Sequence, residues 1–530
     1  MTPETKLQNL PIGINTLSSI RENDMVYVDK TPLIWEMVQQ PARFFLSRPR
    51  RFGKSLLVDT LKELFEGNRA LFSGLYIEDK WNWSKTYPVI KFDFADGVID
   101  SRTILDIRIR KLLTENQQRL GVVASAVDND IPGFFRDVIV QAREKYGQKV
   151  VVLVDEYDKP ILDNIDTPER AAEVREGLKN LYSVLKGQDA HLQFIFMTGV
   201  TKFSKVSLFS GLNQLKDITL DERYASICGY TQTDLETSFA QHLKDVNWQQ
   251  LKDWYNGYQF LGEPVYNPYD ILLFISGNYR YRNYWFETGN PSFLIKLFQQ
   301  KAYFLPALEQ LEVSEEILDS FDIERINPVT LLFQSGYLTI KKVYTDVMGE
   351  LAFVLAVPNH EVKMALNNQL IDGYCQIDTE KKALRTELYE LLHQGAIDQL
   401  KPMLQRLFAG IPWRNFTNND LPNSEGYYAS VLYAFFASLN ATVIPEDITN
   451  RGQADMTVML GDFIYVMEIK LDKSADYQAQ IPNSALQQVQ DKAYAQKYVN
   501  QDKKVFEVGL IFNQVQRNLV QLDWLSACQK

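Results

Sequence analysis

Val150-Val151-Val152-Leu153-Val154-Asp155-Glu156 is an unbroken apolar run that stops at two adjacent carboxylates. A run with no polar side fits a strand buried on both faces, as strands are in helix-covered parallel sheets. Working outward, strand-like runs at Phe44–Leu46, Val89–Phe94 and Leu192–Met197 alternate with helical stretches. In one of these, Ser55–Glu66, the spacing sets Leu56, Leu57, Leu61, Leu64 and Phe65 along one face. Alternation of this kind over residues 43–200 predicts a parallel sheet flanked by helices.

Arg48-Pro49-Arg50-Arg51-Phe52-Gly53-Lys54-Ser55 lies between Phe44–Leu46 and that helix. A phosphate-binding loop needs this setting. Backbone amides around Gly53 and the helix N-terminus surround phosphate, Lys54 reaches the outer phosphates, and the Ser55 hydroxyl binds magnesium. Arg48 stands where the general G-x-x-x-x-G-K-[ST] pattern has its first glycine, and a bare Gly-Lys-Ser is common enough to be an ordinary turn. The strand ends shift the balance. Asp155 can hold the magnesium and Glu156 can activate water for attack on the γ-phosphate, although a buried strand ending at a solvated acidic turn would look similar. Thr198 closes Phe194–Met197, where it can hydrogen-bond the attacking water or cap a turn. Arg48, Arg50 and Arg51 would either neutralise phosphates or sit as solvated surface charge.

A second constellation lies near the C-terminus. Ala454–Leu460 and Phe463–Leu471 flank Gly461-Asp462, a glycine-first pair suited to a two-residue hairpin turn. That turn sets Asp455 opposite Glu468, with Cβ atoms ~5 Å apart on one face. Lys470, two residues on, projects from the same face, while Met456, Val458, Leu460, Met467, Ile469 and Leu471 point to the core. Two carboxylates so close repel unless they share a hard divalent cation or shift their pKa values. Such a metal activates water and stabilises a phosphodiester transition state, with Lys470 orienting or deprotonating the nucleophile. A solvated salt-bridged surface is the plainer alternative. Glu425, opening the helix-like run Glu425–Leu439, can join the metal or simply complement the helix dipole. Gln488, Lys492 and Tyr494 line one side of a helix read over Ser484–Tyr498, either against substrate or as its wet face. Strands Ala441–Pro445, Val505–Phe512 and Asn518–Trp524 complete a small α/β unit.

The chain is too long for one core at 530 residues. Aromatics and loop signals dominate from about 223 to 400, including Tyr255-Asn256-Gly257-Tyr258 and Tyr266-Asn267-Pro268, and a largely helical middle region is expected there. A Pro/Asn-rich stretch at 402–424 reads as a linker. The predicted domains are 1–222, 223–400 and 401–530. The formal net charge is −11, which does not advertise nucleic-acid binding. No run approaches the ~18 apolar residues of a membrane span, and the N-terminus lacks a signal peptide's apolar centre. Three cysteines, Cys228, Cys375 and Cys528, are odd in number and far apart, which suits a reduced cytoplasmic protein. His191, His242, His360 and His393 lack metal-ligand spacing, and Trp81 and Trp83 are expected in cores.

Residues from about 11 to 220 resemble the bacterial AAA-ATPase-like family that is fused to a PD-(D/E)XK nuclease domain. The resemblance is carried by Leu10-Pro11-Ile12-Gly13-Ile14, Tyr27-Val28-Asp29-Lys30-Thr31, the Arg48–Ser55 loop, Val154-Asp155-Glu156-Tyr157-Asp158 and Thr198-Gly199-Val200-Thr201-Lys202-Phe203-Ser204-Lys205. Trp285-Phe286-Glu287-Thr288-Gly289 matches in the middle region. Arg48 departs from the general loop pattern but not from these relatives. Residues 425–515 resemble the PD-(D/E)XK fold. The resemblance implies an α/β protein with an N-terminal P-loop NTPase sheet, a helical middle and a restriction-endonuclease-like C-terminal domain. It implies ATP at Arg50, Arg51, Gly53, Lys54, Ser55, Asp155 and Thr198, with Ser55 and Asp155 holding Mg2+ and Glu156 catalytic. It makes Glu425, Asp455 and Glu468 ligands of Mg2+ or Mn2+ or their supports, Lys470 catalytic, and Gln488 and Tyr494 accessory. The expected partner is nucleic acid, DNA foremost, at the C-terminal domain, with no membrane; a homo-oligomer is compatible. The rival is an ATP-dependent switch whose nuclease-like domain only binds. A nucleotide kinase would need a phosphoacceptor pocket that the sequence does not display.

Overall fold

The computed structural model describes residues 7–39, 41–123, 130–202, 215–285, 305, 308, 311–319, 326–375, 381–411, 424–479, 481–499 and 502–527. The chain forms two compact units, residues 1–288 with 312–361, and residues 289–311 with 362–530. The expected middle segment is therefore divided between the two. Among the described residues no helix is long and apolar enough to cross a membrane.

The first unit is built on a five-stranded sheet ordered β2-β3-β4-β1-β5, with strands β1 (Ala42–Ser47), β2 (Val89–Asp93), β3 (Val150–Asp155), β4 (Leu192–Gly199) and β5 (Lys216–Asp217). Every pairing is parallel. All six residues of β3 are buried, as its unbroken apolar sequence requires. Helix α1 (Lys54–Glu66) follows β1 directly. Gly53 precedes it with φ 92°, a left-handed conformation open to glycine at little cost. Helices α2 (Arg102–Leu120) and α3 (Ile131–Tyr146) pack on the sheet, and α4 (Pro168–Gly187) packs against both. Trp81 and Trp83 join this core against Phe65 and Phe72.

Because the sheet is parallel, the C-terminal ends of β1, β3 and β4 lie at one edge, where α/β sheets bind ligands. Beyond it, helix α5 (Pro268–Ser276) is capped by Asn267, whose side chain accepts from the Tyr269 amide. An aromatic cluster of Tyr255, Tyr266, Phe274 and Tyr284 buries that helix. The middle region is mainly helical but adds a sheet that its sequence did not announce. Strands β6 (Leu311–Ser314), β7 (Thr339–Thr345) and β8 (Leu351–Ala356) are ordered β6-β8-β7.

The second unit carries a sheet ordered β13-β12-β11-β10-β9, formed by β9 (Thr442–Thr449), β10 (Gly452–Leu460), β11 (Phe463–Asp472), β12 (Lys504–Asn513) and β13 (Asn518–Ser526). Only β11 and β12 run parallel, and α7 (Ser484–Asp491) makes the crossover between them. The helix read as continuing to Tyr498 stops early. Ala493 takes φ 49°, and Tyr494–Tyr498 is a 3-10 turn. Helix α6 (Glu425–Ala437) is buried at every position from Tyr427 onward, which its nearly unbroken apolar sequence anticipates. Of the expected linker 402–424, residues 412–423 lie outside the described residues, and 402–409 belong to a helix.

Candidate functional site

In the first unit the C-terminal ends of β1, β4 and β3 lie side by side next to the loop. Lys54 is buried and donates to the Arg48 and Pro49 carbonyls at 2.9 Å each, so the ammonium already sits inside the loop's curve. Burial lowers its pKa, against the nearby charges of Asp155 and Glu156. Asp155 is 1% exposed. Its Oδ1 accepts the Glu156 amide at 3.0 Å, the nearby Ser55 hydroxyl favours its charged form, and its Oδ2 is buried with no hydrogen-bond partner. Burial raises the pKa of Asp155 and likewise that of Glu156. Glu156 adopts φ 50° and, with loop residues 50–57, borders a cavity of about 440 Å³. That is a small-ligand volume. Ile14, Tyr230 and Tyr269 supply part of its apolar wall. A hydroxyl and a buried carboxylate with a free oxygen form a hard-oxygen pair that fits magnesium.

Three expectations need correcting or completing. Arg48 neither meets the cavity nor faces solvent. It is 1% exposed, its guanidinium donates to the carbonyls of Ser47, Thr219, Tyr224 and Ala225 at 2.8–3.4 Å, and it stacks on Phe260 at 3.8 Å. Burial lowers its pKa to about 10. It is a brace for the loop. Thr198 is fully buried and its hydroxyl donates to the Leu46 carbonyl at 2.9 Å, so its proton is spent on the neighbouring strand rather than offered to water. Asp158 was missed. Its Oδ2 accepts from the Val200 and Thr201 amides at 3.0 and 2.6 Å and from the Thr201 hydroxyl at 2.6 Å, which fixes the turn after β4. Its place in the Asp155–Asp158 acidic cluster was the available signal. Arg50 and Arg51 are exposed beside the loop. Of the motif ending at Lys205, residues 203–205 lie outside the described residues, as do 286–289 of the Trp285 motif.

In the second unit the hairpin forms in the expected register. Leu460 pairs with Phe463 and Met456 with Met467, around a turn in which Gly461 takes φ 57°. Asp455 lies one step beyond the last pair, towards Glu468, and its Oδ2 accepts the Ile469 amide at 2.7 Å. Lys470 Nζ stands 3.2 Å from Glu468 Oε1. The Gln488 amide donates to that same oxygen, and the Tyr494 hydroxyl is 3.4 Å from Gln488. Glu425 reaches past the carboxylate pair, and its Oε1 accepts the Leu471 amide at 3.1 Å. Lys492 meets this cluster through its backbone, its amide donating to the Gln488 carbonyl at 3.1 Å.

The face bearing Glu468 is not an outer face. Ile464, Val466, Val489 and Tyr494 form a core over it, and Glu468 is 2% exposed. Burial, and then the charge of Asp455, push its pKa up to about 7. Burial also raises Asp455. Burial opposes the Lys470 ammonium, but the neighbouring carboxylates prevail and its pKa rises. Glu468 Oε2 is buried without a hydrogen-bond partner. This cannot be a solvated surface salt bridge. Among the described residues no three His, Cys, Asp or Glu side chains form a ready ligand set. The pair Asp455 and Glu468 nonetheless fits a hard divalent ion that takes its other ligands from water.

The histidines serve structure. His191 lies 3.2 Å from Arg143, His242 from the Gln8 carbonyl by 3.1 Å, and His360 and His393 pack on Trp254 and Tyr389.

A parallel sheet with a phosphate-loop edge in one unit, and a carboxylate pair with lysine on a mixed sheet in the other, define a two-module protein of P-loop and nuclease-like type. Residues 11–209 match the family described as predicted AAA-ATPase, and residues 423–522 match the PD-(D/E)XK nuclease superfamily. An uncharacterized protein in the vnfD 5' region of Azotobacter chroococcum mcd 1 is 44% identical over 97% of this chain and 98% of its own length. The chain belongs to this family of predicted AAA-ATPases that carry a PD-(D/E)XK nuclease superfamily domain.

Proposed function

We propose that the first unit binds and hydrolyses ATP and that the second cleaves nucleic acid, DNA foremost, with Mg2+ or Mn2+. The observation that carries the reading is Glu468, buried between Asp455 and Lys470 with one oxygen left without a partner. A carboxylate costs several kcal/mol to bury unless a proton or cation compensates it. Bound metal would supply a polarised phosphodiester and an activated water. This chain's residues would do the rest. Gln488 holds Glu468 in place, the Ile469 amide orients Asp455, and Lys470 faces the developing phosphate charge. At the ATP site Lys54 exchanges its two carbonyls for outer phosphate oxygens, Ser55 and Asp155 hold magnesium, and Glu156 orients water.

The test pairs two assays on the purified chain. Single- and double-stranded DNA and RNA are incubated with Mg2+ or Mn2+, with and without ATP, using wild type, Glu468→Ala and Lys470→Ala. Cleavage is expected to fall by at least about 100-fold in either variant, a loss typical of removing a charged transition-state contact. Lys54→Ala is expected to abolish ATP binding while leaving the fold intact. A wild-type chain that cleaves nothing sinks the nuclease half and favours the second reading, an ATP switch whose C-terminal unit only binds a partner. The excess of acidic over basic residues in 420–530 speaks for that alternative.

A further inference from the structure

The middle segment grips the phosphate-binding loop at consecutive residues. Phe52 meets the ring of Tyr258 edge-on at 4.8 Å and that of Phe260 at 6.1 Å, and its carbonyl accepts the Gly229 amide at 3.1 Å. Arg51, immediately before it, is held at φ 68°, a left-handed conformation that a residue with a side chain keeps only where its surroundings fix it. The exposed Arg51 guanidinium makes no ion pair among the described residues, and its central carbon lies 4.8 Å from the ring centroid of Tyr269. Tyr269 is itself anchored. Its amide donates to the capping Asn267 at 3.0 Å, and the next residue, Asp270, is fully buried against Glu361. Pro268, Tyr269 and Leu272 wall the same cavity as Lys54 and Ser55.

A guanidinium resting on an aromatic face keeps its edge N–H donors free. Stacking on Tyr269 and hydrogen bonding to phosphate are therefore compatible, and the ring removes much of the rotamer freedom that Arg51 would otherwise lose on binding.

We propose that Tyr269 is a positioning residue of the nucleotide site, its ring holding Arg51 at the cavity for the outermost phosphate of a nucleoside triphosphate. The inference rests on the nucleotide reading above and deepens it, because it gives the middle segment a means of telling triphosphate from diphosphate.

Full-length wild type, Tyr269→Phe, Tyr269→Leu and Arg51→Ala are titrated with fluorescent analogues of ATP and ADP in Mg2+. Tyr269→Leu is expected to weaken the ATP analogue by roughly 3- to 10-fold, the range of an exposed-to-desolvated cation–π contact, and to change ADP by less than about twofold. Arg51→Ala should show the same selective loss, and Tyr269→Phe should restore wild-type affinity because the ring face is kept. Equal losses of ATP and ADP in Tyr269→Leu, wild-type affinity in Tyr269→Leu, or failure of Tyr269→Phe to restore binding would each overturn the positioning role. Should Tyr269→Leu not fold, Arg51→Ala decides by the same ratio. A wild type that binds neither analogue overturns the nucleotide reading, and is seen before any substitution is made.

Discussion

Arg48 carries a full charge into the interior and spends it on backbone carbonyls, with no carboxylate within ion-pair distance among the described residues. Only a planar fork can serve several carbonyls while lying flat on Phe260. Arg48→Lys keeps the charge but not the fork, and is expected to cost about 2–4 kcal/mol, since several buried acceptors lose their donor. Urea denaturation of the full chain measures this. A loss below about 0.5 kcal/mol would show the fork to be dispensable. Glu468 gives a prediction in pH. Its folded pKa is about 7, against about 4.3 in an unfolded chain. Between those values the folded chain keeps a proton that the unfolded chain has released. Stability from this group is therefore full below about pH 4 and is lost as pH climbs through about 7. Asp155, Asp158 and Asp455 slope in the same direction, so the observable is a difference. Metal-free Glu468→Gln should lose less stability than wild type between pH 5 and pH 8, and parallel profiles would refute the assignment.

At the scale of elements, what is local in sequence was legible and what is distant was not. The β10–β11 register follows from one glycine-first turn and strict alternation, both local in sequence, so the spacing alone sets Asp455 opposite Glu468. Strand β3 likewise announces its own burial. The covering of Glu468 was hidden because α7 and Tyr494 arrive from further along the chain, and Arg48 read as a phosphate partner or surface charge because its acceptors at Thr219, Tyr224 and Ala225 lie more than 170 residues away. The small sheet β6-β8-β7 was hidden for a related reason, its strands being short and interrupted by helix. One contact makes α7 effective. A Cβ built on Gly509, which pairs with Glu468 across β11 and β12, would stand 2.3 Å from the Leu486 amide. Gly509→Ala must push α7 off the sheet and draw Gln488 from Glu468. The expected cost is about 1–3 kcal/mol, with a larger proportional loss of any metal-dependent cleavage. Unchanged stability in denaturant would show that the helix yields freely.

At the scale of the molecule, the two sites should be separable by ligand linkage. A nucleotide that binds only the folded first unit stabilises it by about 2.7 kcal/mol at a hundred times its Kd. An upward shift in thermal midpoint with ATP and Mg2+ is expected for wild type and for Glu468→Gln, and should vanish in Lys54→Ala. A shift that survives Lys54→Ala would place nucleotide elsewhere. The route of the chain has a consequence for its synthesis. The first unit closes only when Glu361 arrives to lie against the buried Asp270 and to accept the Tyr284 and Trp285 amides, and residues 289–311 of the second unit emerge before it. At about 5–20 residues per second on the ribosome, Asp270 waits several seconds beside an unfinished core. The nascent protein cannot complete one module before beginning the next, so its birth is interleaved, and the exposed aromatic cluster of the waiting half is the surface a chaperone would meet first.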